Sequence, residues 1–307
     1  MTMMPLYGAI EAGGTKFNCM IARSPEDIIA ETRIPTTTPH ETLAAAIAFF
    51  QPYANRSELA ALGIGTFGPV DLQPGSPTFG YITYTPKPGW SMTDFYSPLQ
   101  RALGVPVAFE TDVNAAAYGE HTWVEANRSL DPFVYITVGT GIGVGTMVNG
   151  RLLHGLLHSE AGHLLLPRDT DRDPFEGVCP FHGACLEGLA SGTAMNQRWG
   201  QPAETLGDDH PAWQLEADYL ALGIANLVLT LSPQRIVLGG GVMQRAGLLQ
   251  KVQQKVQTVL NGYIHTPSIL ADIENYIVAP FLGTRSGMLG AIALAKDLGK
   301  LKLNMER

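Results

Sequence analysis

A chain of 307 residues with 45% hydrophobic and 16% charged residues is long enough for about two domains with a large core, and its composition excludes a disordered polymer. A net charge of -8 has the wrong sign for a nucleic-acid backbone as main partner, though backbone N–H groups can still hold a small anion. Three cysteines make no disulfide framework. The N-terminus lacks a basic region followed by an apolar run, and no stretch reaches the roughly 18 apolar residues of a membrane helix. Together these features predict a cytoplasmic protein with neither nucleic-acid nor membrane partners. The 34 glycines and 21 prolines predict many tight turns and backbone-lined loops.

In chain order, residues 6–22 read as strand, glycine turn at Gly13-Gly14, strand, and residues 28–34 as the third strand of a meander. Leu43, Ala46, Ile47 and Phe50 recur at helical intervals and predict a helix over 41–51. Buried strands are expected at 59–65 and 105–110, with a helix at 112–124 directly after the second. A new cycle opens at Pro132: strand 133–138, turn Gly139-Thr-Gly-Ile-Gly143, strand 144–148. This strand, glycine turn, strand unit returns after about 125 residues, which predicts two domains of one fold facing each other across a cleft. A helix at 212–232 follows, then a strand at 234–238 ending in three glycines and a helix at 243–260. A last strand is expected at 276–279 and a last helix at 286–298.

The chemistry concentrates in four places. His163, Cys179, His182 and Cys185 give the spacing His-x15-Cys-x2-His-x2-Cys, a set of soft and borderline ligands suited to tetrahedral Zn²⁺. With the interleaved acids Glu160 and Glu187 such a clip can shape a polar substrate pocket; the alternatives are a plain surface zinc knuckle, or His and Cys without metal. Glu11-Ala-Gly-Gly-Thr-Lys16 joins two strands, so it is no P-loop, which would open a helix. It reads either as a hairpin turn or as an anion cradle, with Gly13 and Gly14 exposing backbone N–H groups, Thr15 adding a hydroxyl and Lys16 a cation. The turn at Thr140 and Gly141 offers the same chemistry, so the pair could clamp a triphosphate. Asp112, where a strand meets a helix, is either an N-cap or a general base for a hydroxyl attacking a phosphoryl group.

With these residues assembled, the chain resembles the ROK family of sugar kinases, most closely its bacterial fructokinases, over about residues 6–298. The carrying motifs are Glu11-Ala-Gly-Gly-Thr-Lys16, Gly65-Thr-Phe-Gly-Pro69, Thr85-Pro-Lys-Pro-Gly-Trp90 and Thr111-Asp-Val-Asn114. Gly139-Thr-Gly-Ile-Gly143, Glu160-Ala-Gly-His163, Cys179-Pro-Phe-His-Gly-Ala-Cys-Leu-Glu187 and Leu238-Gly-Gly-Gly-Val242 complete the series. The resemblance implies an α/β, actin-like (ribonuclease H-like) two-domain sugar kinase fold. A smaller domain of residues 1–117 plus 285–307 and a larger one of 118–284 are expected, with a zinc segment at 158–187.

By the same resemblance the activity is ATP-dependent phosphorylation of the 6-hydroxyl of fructose, with Asp112 as base. Gly13, Gly14, Thr15, Lys16, Thr140 and Gly141 would hold the ATP phosphates. Gly192 would also contact ATP, and Gly239, Gly240, Gly241, Val242 and Met243 the adenosine part. Thr111, Glu160, His163 and Glu187 would bind sugar, with His163 serving zinc through its other ring nitrogen. Zn²⁺ would be structural, Mg²⁺ would accompany ATP, and the assembly would be a homodimer.

Three departures from the glucokinase-like branch accompany the resemblance. Thr111 stands where many relatives carry Asn, which removes an amide that can bond a pyranose. Cys-x2-His-x2-Cys replaces a three-cysteine cluster, and Glu11 stands where Asp is usual. The prolines of 85–90 would stiffen a loop presenting Trp90 as an apolar wall. The rival readings are a kinase for glucose, mannose or an N-acetylated hexosamine, a sugar-sensing repressor, and an actin- or chaperone-like ATPase. A strand starting at about Leu6 leaves the repressor no room for a DNA-binding domain, and the zinc segment with its two glutamates speaks against the third.

Overall fold

The structure, a computed structural model, describes residues 4–305. It divides into two compact units, Met1–Arg128 with Leu152–His158 and Thr284–Arg307, and Ser129–Arg151 with Ser159–Gly283.

In the first unit β1 (Leu6–Ala12), β2 (Lys16–Ser24) and β3 (Asp27–Pro35) form an antiparallel meander. Helix α1 (Pro39–Asn55) crosses to β4 (Leu59–Thr66), parallel to β1. Its start follows from sequence: Thr38 and Glu41 make a reciprocal capping box, and Pro39 lies in the first turn, where its missing N–H costs nothing. A short hairpin, β5 (Tyr81–Ile82) and β6 (Thr93–Asp94), and helix α2 (Tyr96–Leu103) lead to β7 (Val107–Thr111), parallel to β4. Helix α3 (Asp112–Trp123) begins at the next residue. The sheet order is β3-β2-β1-β4-β7.

The second unit repeats this plan with β8 (Phe133–Val138), β9 (Ile142–Val148) and β10 (Arg151–Leu152). Helices α4 (Leu186–Ala190), α5 (Gly192–Trp199) and α6 (Ala212–Leu231) precede β11 (Arg235–Gly239). Then come α7 (Leu248–Leu260), α8 (Pro267–Leu270), α9 (Ile273–Tyr276) and β12 (Ile277–Val278). The order β10-β9-β8-β11-β12, antiparallel at β8/β9 and parallel at β8/β11 and β11/β12, matches the first sheet position by position. The echo between the two glycine turns is therefore a repeat of topology. The chain then returns to the first unit as α10 (Ser286–Met305). No helix among the described residues is long and apolar enough to cross a membrane.

Several elements differ from expectation. The helix expected over 243–260 starts only at Leu248, because Gly247 adopts φ +77° and leaves Val242–Gln244 as an isolated 3₁₀ turn. Helices α4 and α5 were not expected, since their small residues carry no regular apolar stripe. Residues 118–128 belong with the first unit, because α3 runs unbroken to Trp123, whose Nε1 donates to Leu289 O at 2.8 Å. Trp90 is no exposed wall. Its ring is fully buried among Phe17, Phe67 and Phe95, and Nε1 donates to Thr37 O at 2.9 Å, the arrangement in which indole buries most area without orphaning its N–H.

What holds α3 in place is backbone-to-backbone approach. A Cβ added to Gly290 of α10 would lie 1.7 Å from Ala115 O of α3, and one on Gly63 of β4 1.9 Å from Ala291 O. Ser286 Oγ adds a buried hydrogen bond to Glu120 Oε1 at 2.8 Å. Gly290→Ala should therefore force the helices apart and cost about 3 kcal/mol, seen as a lower urea midpoint at unchanged slope. An unaltered midpoint would contradict this packing.

Candidate active site

At the end of β7, Thr111 turns the chain into α3. Its Oγ1 accepts the Asn114 N–H at 3.1 Å, so Thr111 is the N-cap. The capping alternative for Asp112 is thereby corrected: Asp112 is the first helical residue, and its Oδ1 accepts the Val113 N–H at 2.9 Å. A carboxylate there gains from the positive end of the helix dipole. Thr111 itself is buried, with its hydroxyl oxygen engaged in the cap.

The first glycine turn is closed by Gly13 N–H to Lys16 O at 2.9 Å and braced by Thr36 Oγ1 donating to Gly13 O at 2.8 Å. Space is open where a Gly14 Cβ would stand, and Thr15 and Lys16 are exposed. Glu11 lies apart from that surface. Asn18 Nδ2 donates to its Oε2 at 2.9 Å, and its Oε1 would be 2.3 Å from a Cβ on Gly287 at the start of α10. Burial raises its carboxyl above the usual range, against the opposing effects of Asn18 and Lys16.

In the second unit the other expected nucleotide residues gather in one place. Gly192 N–H, at the start of α5, donates to Gly139 O at 2.7 Å, and Thr193 Oγ1 to Thr140 O at 2.8 Å. Gly240, at φ +98°, lets β11 end against β8, since a Cβ there would meet Val138 O at 2.3 Å. Val242 Cγ2 would be 3.5 Å from a Cβ on Gly192. Thr140, Gly141, Gly192, Gly239, Gly240, Gly241 and Val242 thus share a glycine-lined locality able to receive phosphate or ribose on bare backbone, with Met243 in the following 3₁₀ turn.

His163, Cys179, His182 and Cys185 also come together, with their ligand atoms all within 4.8 Å of one another. His163 Nδ1 stands 3.4 Å from Cys185 Sγ and 3.6 Å from Cys179 Sγ, and His182 Nδ1 3.5 Å from Cys179 Sγ. Tetrahedral zinc with ordinary Zn–S and Zn–N bonds places S and N about 3.6 Å apart, so the donor set fits a soft divalent ion. Burial pushes the Cys185 thiol up to about 11, against the Gly188 N–H that its sulfur accepts as the N-cap of α4. Bound cationic charge is what would offset the cost of that buried thiolate. The third cysteine, Cys19, lies in the core of the first unit, where burial raises its thiol to about 12.

The acids flank this cluster. Glu187 Oε2 accepts the Ile142 N–H at 3.0 Å and would be 2.5 Å from a Cβ on Gly141, so a side chain at 141 would have to displace this carboxylate. Glu160 keeps surface toward solvent, but protein packed about its carboxyl, then the charge of Glu187, raises it to about 7. With Nδ1 facing the thiols, the His163 ring turns Nε2 the other way. Sequence reasoning missed the support beneath: the buried side chain of Arg198 pairs with Asp173 at 3.1 Å, and Tyr219 donates to the same Oδ2 at 2.6 Å, fastening the approach to Cys179 onto α5 and α6. No short spacing links these three residues, so nothing in the sequence marked them as a group.

The sequence profile of the ROK family matches residues 7–298. A fructokinase of Zymomonas mobilis is 45% identical over 296 residues, covering 94% of this chain and 96% of the relative. A fructokinase of Streptococcus mutans is 41% identical over 300 residues, covering 96% and 99%. Among solved structures, a ROK hexokinase from Thermus thermophilus superposes with a TM-score of 0.74 at 27% identity, covering 98% of this chain and 99% of that one. The α/β fold with two ribonuclease H-like sheets is accordingly that of the actin-like sugar kinases, and the chain belongs to the ROK family.

Proposed function

We propose that this chain is an ATP-dependent fructokinase that makes fructose 6-phosphate and ADP. The observation that carries the reading is its likeness, over nearly the full length of both proteins, to fructokinases. In this reading the 6-hydroxyl oxygen attacks the γ-phosphorus, the bond to the β–γ bridging oxygen breaks, and the proton passes to an Asp112 carboxylate oxygen. Proton transfer comes late in phosphoryl transfer, so the main task of the aspartate at the start of α3 is to orient the hydroxyl.

Glu160, Glu187 and His163 Nε2 accept hydrogen bonds from the other sugar hydroxyls. Threonine brings no side-chain amide to the sugar pocket at position 111, and its hydroxyl oxygen is engaged in the cap. The glycine turns at 13–16 and 139–143, with Gly192, take the ATP phosphates, and 239–243 the adenosine. Mg²⁺ carried on ATP would neutralise phosphate charge. Zn²⁺, held by His163, Cys179, His182 and Cys185, would supply no chemistry but would fix the tautomer and pose of His163.

The reading is tested by turnover on fructose, glucose, mannose and N-acetylmannosamine in parallel. Fructose should dominate; a preference for glucose or an amino sugar would overturn the sugar assignment. Asp112→Asn should lower kcat by about a thousandfold with fructose binding retained, and near-normal turnover would remove Asp112 as base. Elemental analysis should find stoichiometric zinc, lost in Cys185→Ser. His163→Ala should lose both metal and fructose affinity, whereas full metal content with a normal KM would sink the double role.

A further inference from the structure

Two residues before Asp112, at the end of β7, Glu110 is a buried carboxylate within the first unit. Its Oε2 accepts Asn114 Nδ2 at 2.9 Å and the Thr111 N–H at 3.3 Å. Both partners belong to the turn that carries Asp112: Thr111 is the cap of α3, and Asn114 supplies the capped amide. On the other side Oε1 meets His154 Nε2 at 2.7 Å. The contact with Glu110 raises the His154 imidazole above its usual pKa, against partial burial.

His154 keeps 39% of its side chain exposed, but the segment that carries it is tied down. It sits in the strap Leu152–His158, which three separate ties hold on the first unit. Besides His154 to Glu110, Gln73 Nε2 donates to Gly155 O at 2.7 Å and to Leu156 O at 3.1 Å. At the far end the Val70 N–H donates to buried His158 Nε2 at 3.1 Å. Val70 follows the Gly65-Thr-Phe-Gly-Pro69 motif, to which the proposed reaction gives no task. Within the strap His154 and His158 face each other as bridge partners.

We infer that Glu110 and His154 are a positioning pair that sets the first turn of α3, and with it the direction of the Asp112 carboxylate. A buried carboxylate that loses a donor does not stay where it was, because an unpaired charge in a low-dielectric interior is costly. Without His154, Glu110 must turn toward water or take another donor, and Asn114 and the Thr111 N–H follow it. Small displacements of a catalytic group from its working geometry cost large factors in rate. The pair touches no reacting atom and acts only through Thr111, Asp112 and Asn114. The inference rests on Asp112 being the base.

The test compares His154→Ala, His154→Gln, Glu110→Gln and the double variant in the full chain with zinc loaded. His154→Ala should lower kcat on fructose by about tenfold or more, with KM for ATP and zinc content unchanged and a fall in Tm that His154→Gln largely restores. His154→Gln, which keeps a donor, should recover much of that loss. In the Glu110→Gln background His154→Ala should add little, as expected of partners in one interaction.

Hydrogen exchange gives a second readout that needs no turnover. Amides of residues 110–116 should lose protection in His154→Ala while those of β1 and α10 keep it. Unchanged kcat, or equal losses in ATP KM and exchange throughout the unit, would overturn the pair. If the wild type prefers another hexose, the sugar assignment fails and the pair is read with that hexose. If it turns over none, exchange at 110–116 decides.

Discussion

The bond from the Asn114 amide to Thr111 Oγ1 settles how the end of β7 can be used. A helix N-terminus must find acceptors for its first N–H groups, and an aspartate at a strand–helix junction is a ready candidate for that task. Here threonine takes it. Asp112 is shifted one place into the helix, where the dipole supports its charge. The same bond engages the hydroxyl of Thr111, so the residue beside the acid offers a neighbouring ligand shape more than polarity. One cap thus bears on both the base and the selectivity proposed for this site.

Behind that junction the fold is built for close approach. α10 leaves the second unit in sequence and returns to lie on α3 and β4, with glycines at the crossings where any side chain would collide with backbone. Such contacts have no slack, which suits an element that must hold a carboxylate in one direction. Glu11 is drawn into the same packing, against Gly287 and Asn18, and away from the exposed surface of the glycine turn that it opens. The extra methylene relative to aspartate is what lets its carboxyl reach that far.

The second unit solves a different problem. Its site residues come from a long irregular stretch with little secondary structure, which backbone hydrogen bonding alone would hold poorly. The Cys and His cluster draws that stretch together, and Asp173, between His163 and Cys179 in sequence, ties it to Arg198 and Tyr219. Glu187 is fixed by the Ile142 N–H, and it is close enough to Glu160 that its charge raises the pKa of that acid. A hydroxyl-rich ligand is the natural partner for such a pair, since it can donate to both.

Much of this was legible from residues alone. Apolar periodicity and glycine turns located the main strands and the long helices, because burial and backbone freedom are local demands that each segment must meet for itself. The spacing of His163, Cys179, His182 and Cys185 marked a candidate metal-ligand cluster for the same reason, since three of the four are near neighbours in the chain. Sequence could not decide which of Thr111 and Asp112 caps α3, where Trp90 points, or that the helix over 243–260 breaks at Gly247. Nor could it bring Glu110 to His154, or Asp173 to Arg198 and Tyr219. Those outcomes depend on groups far apart in the chain competing for the same donors and the same space, and only the packed structure resolves such a competition.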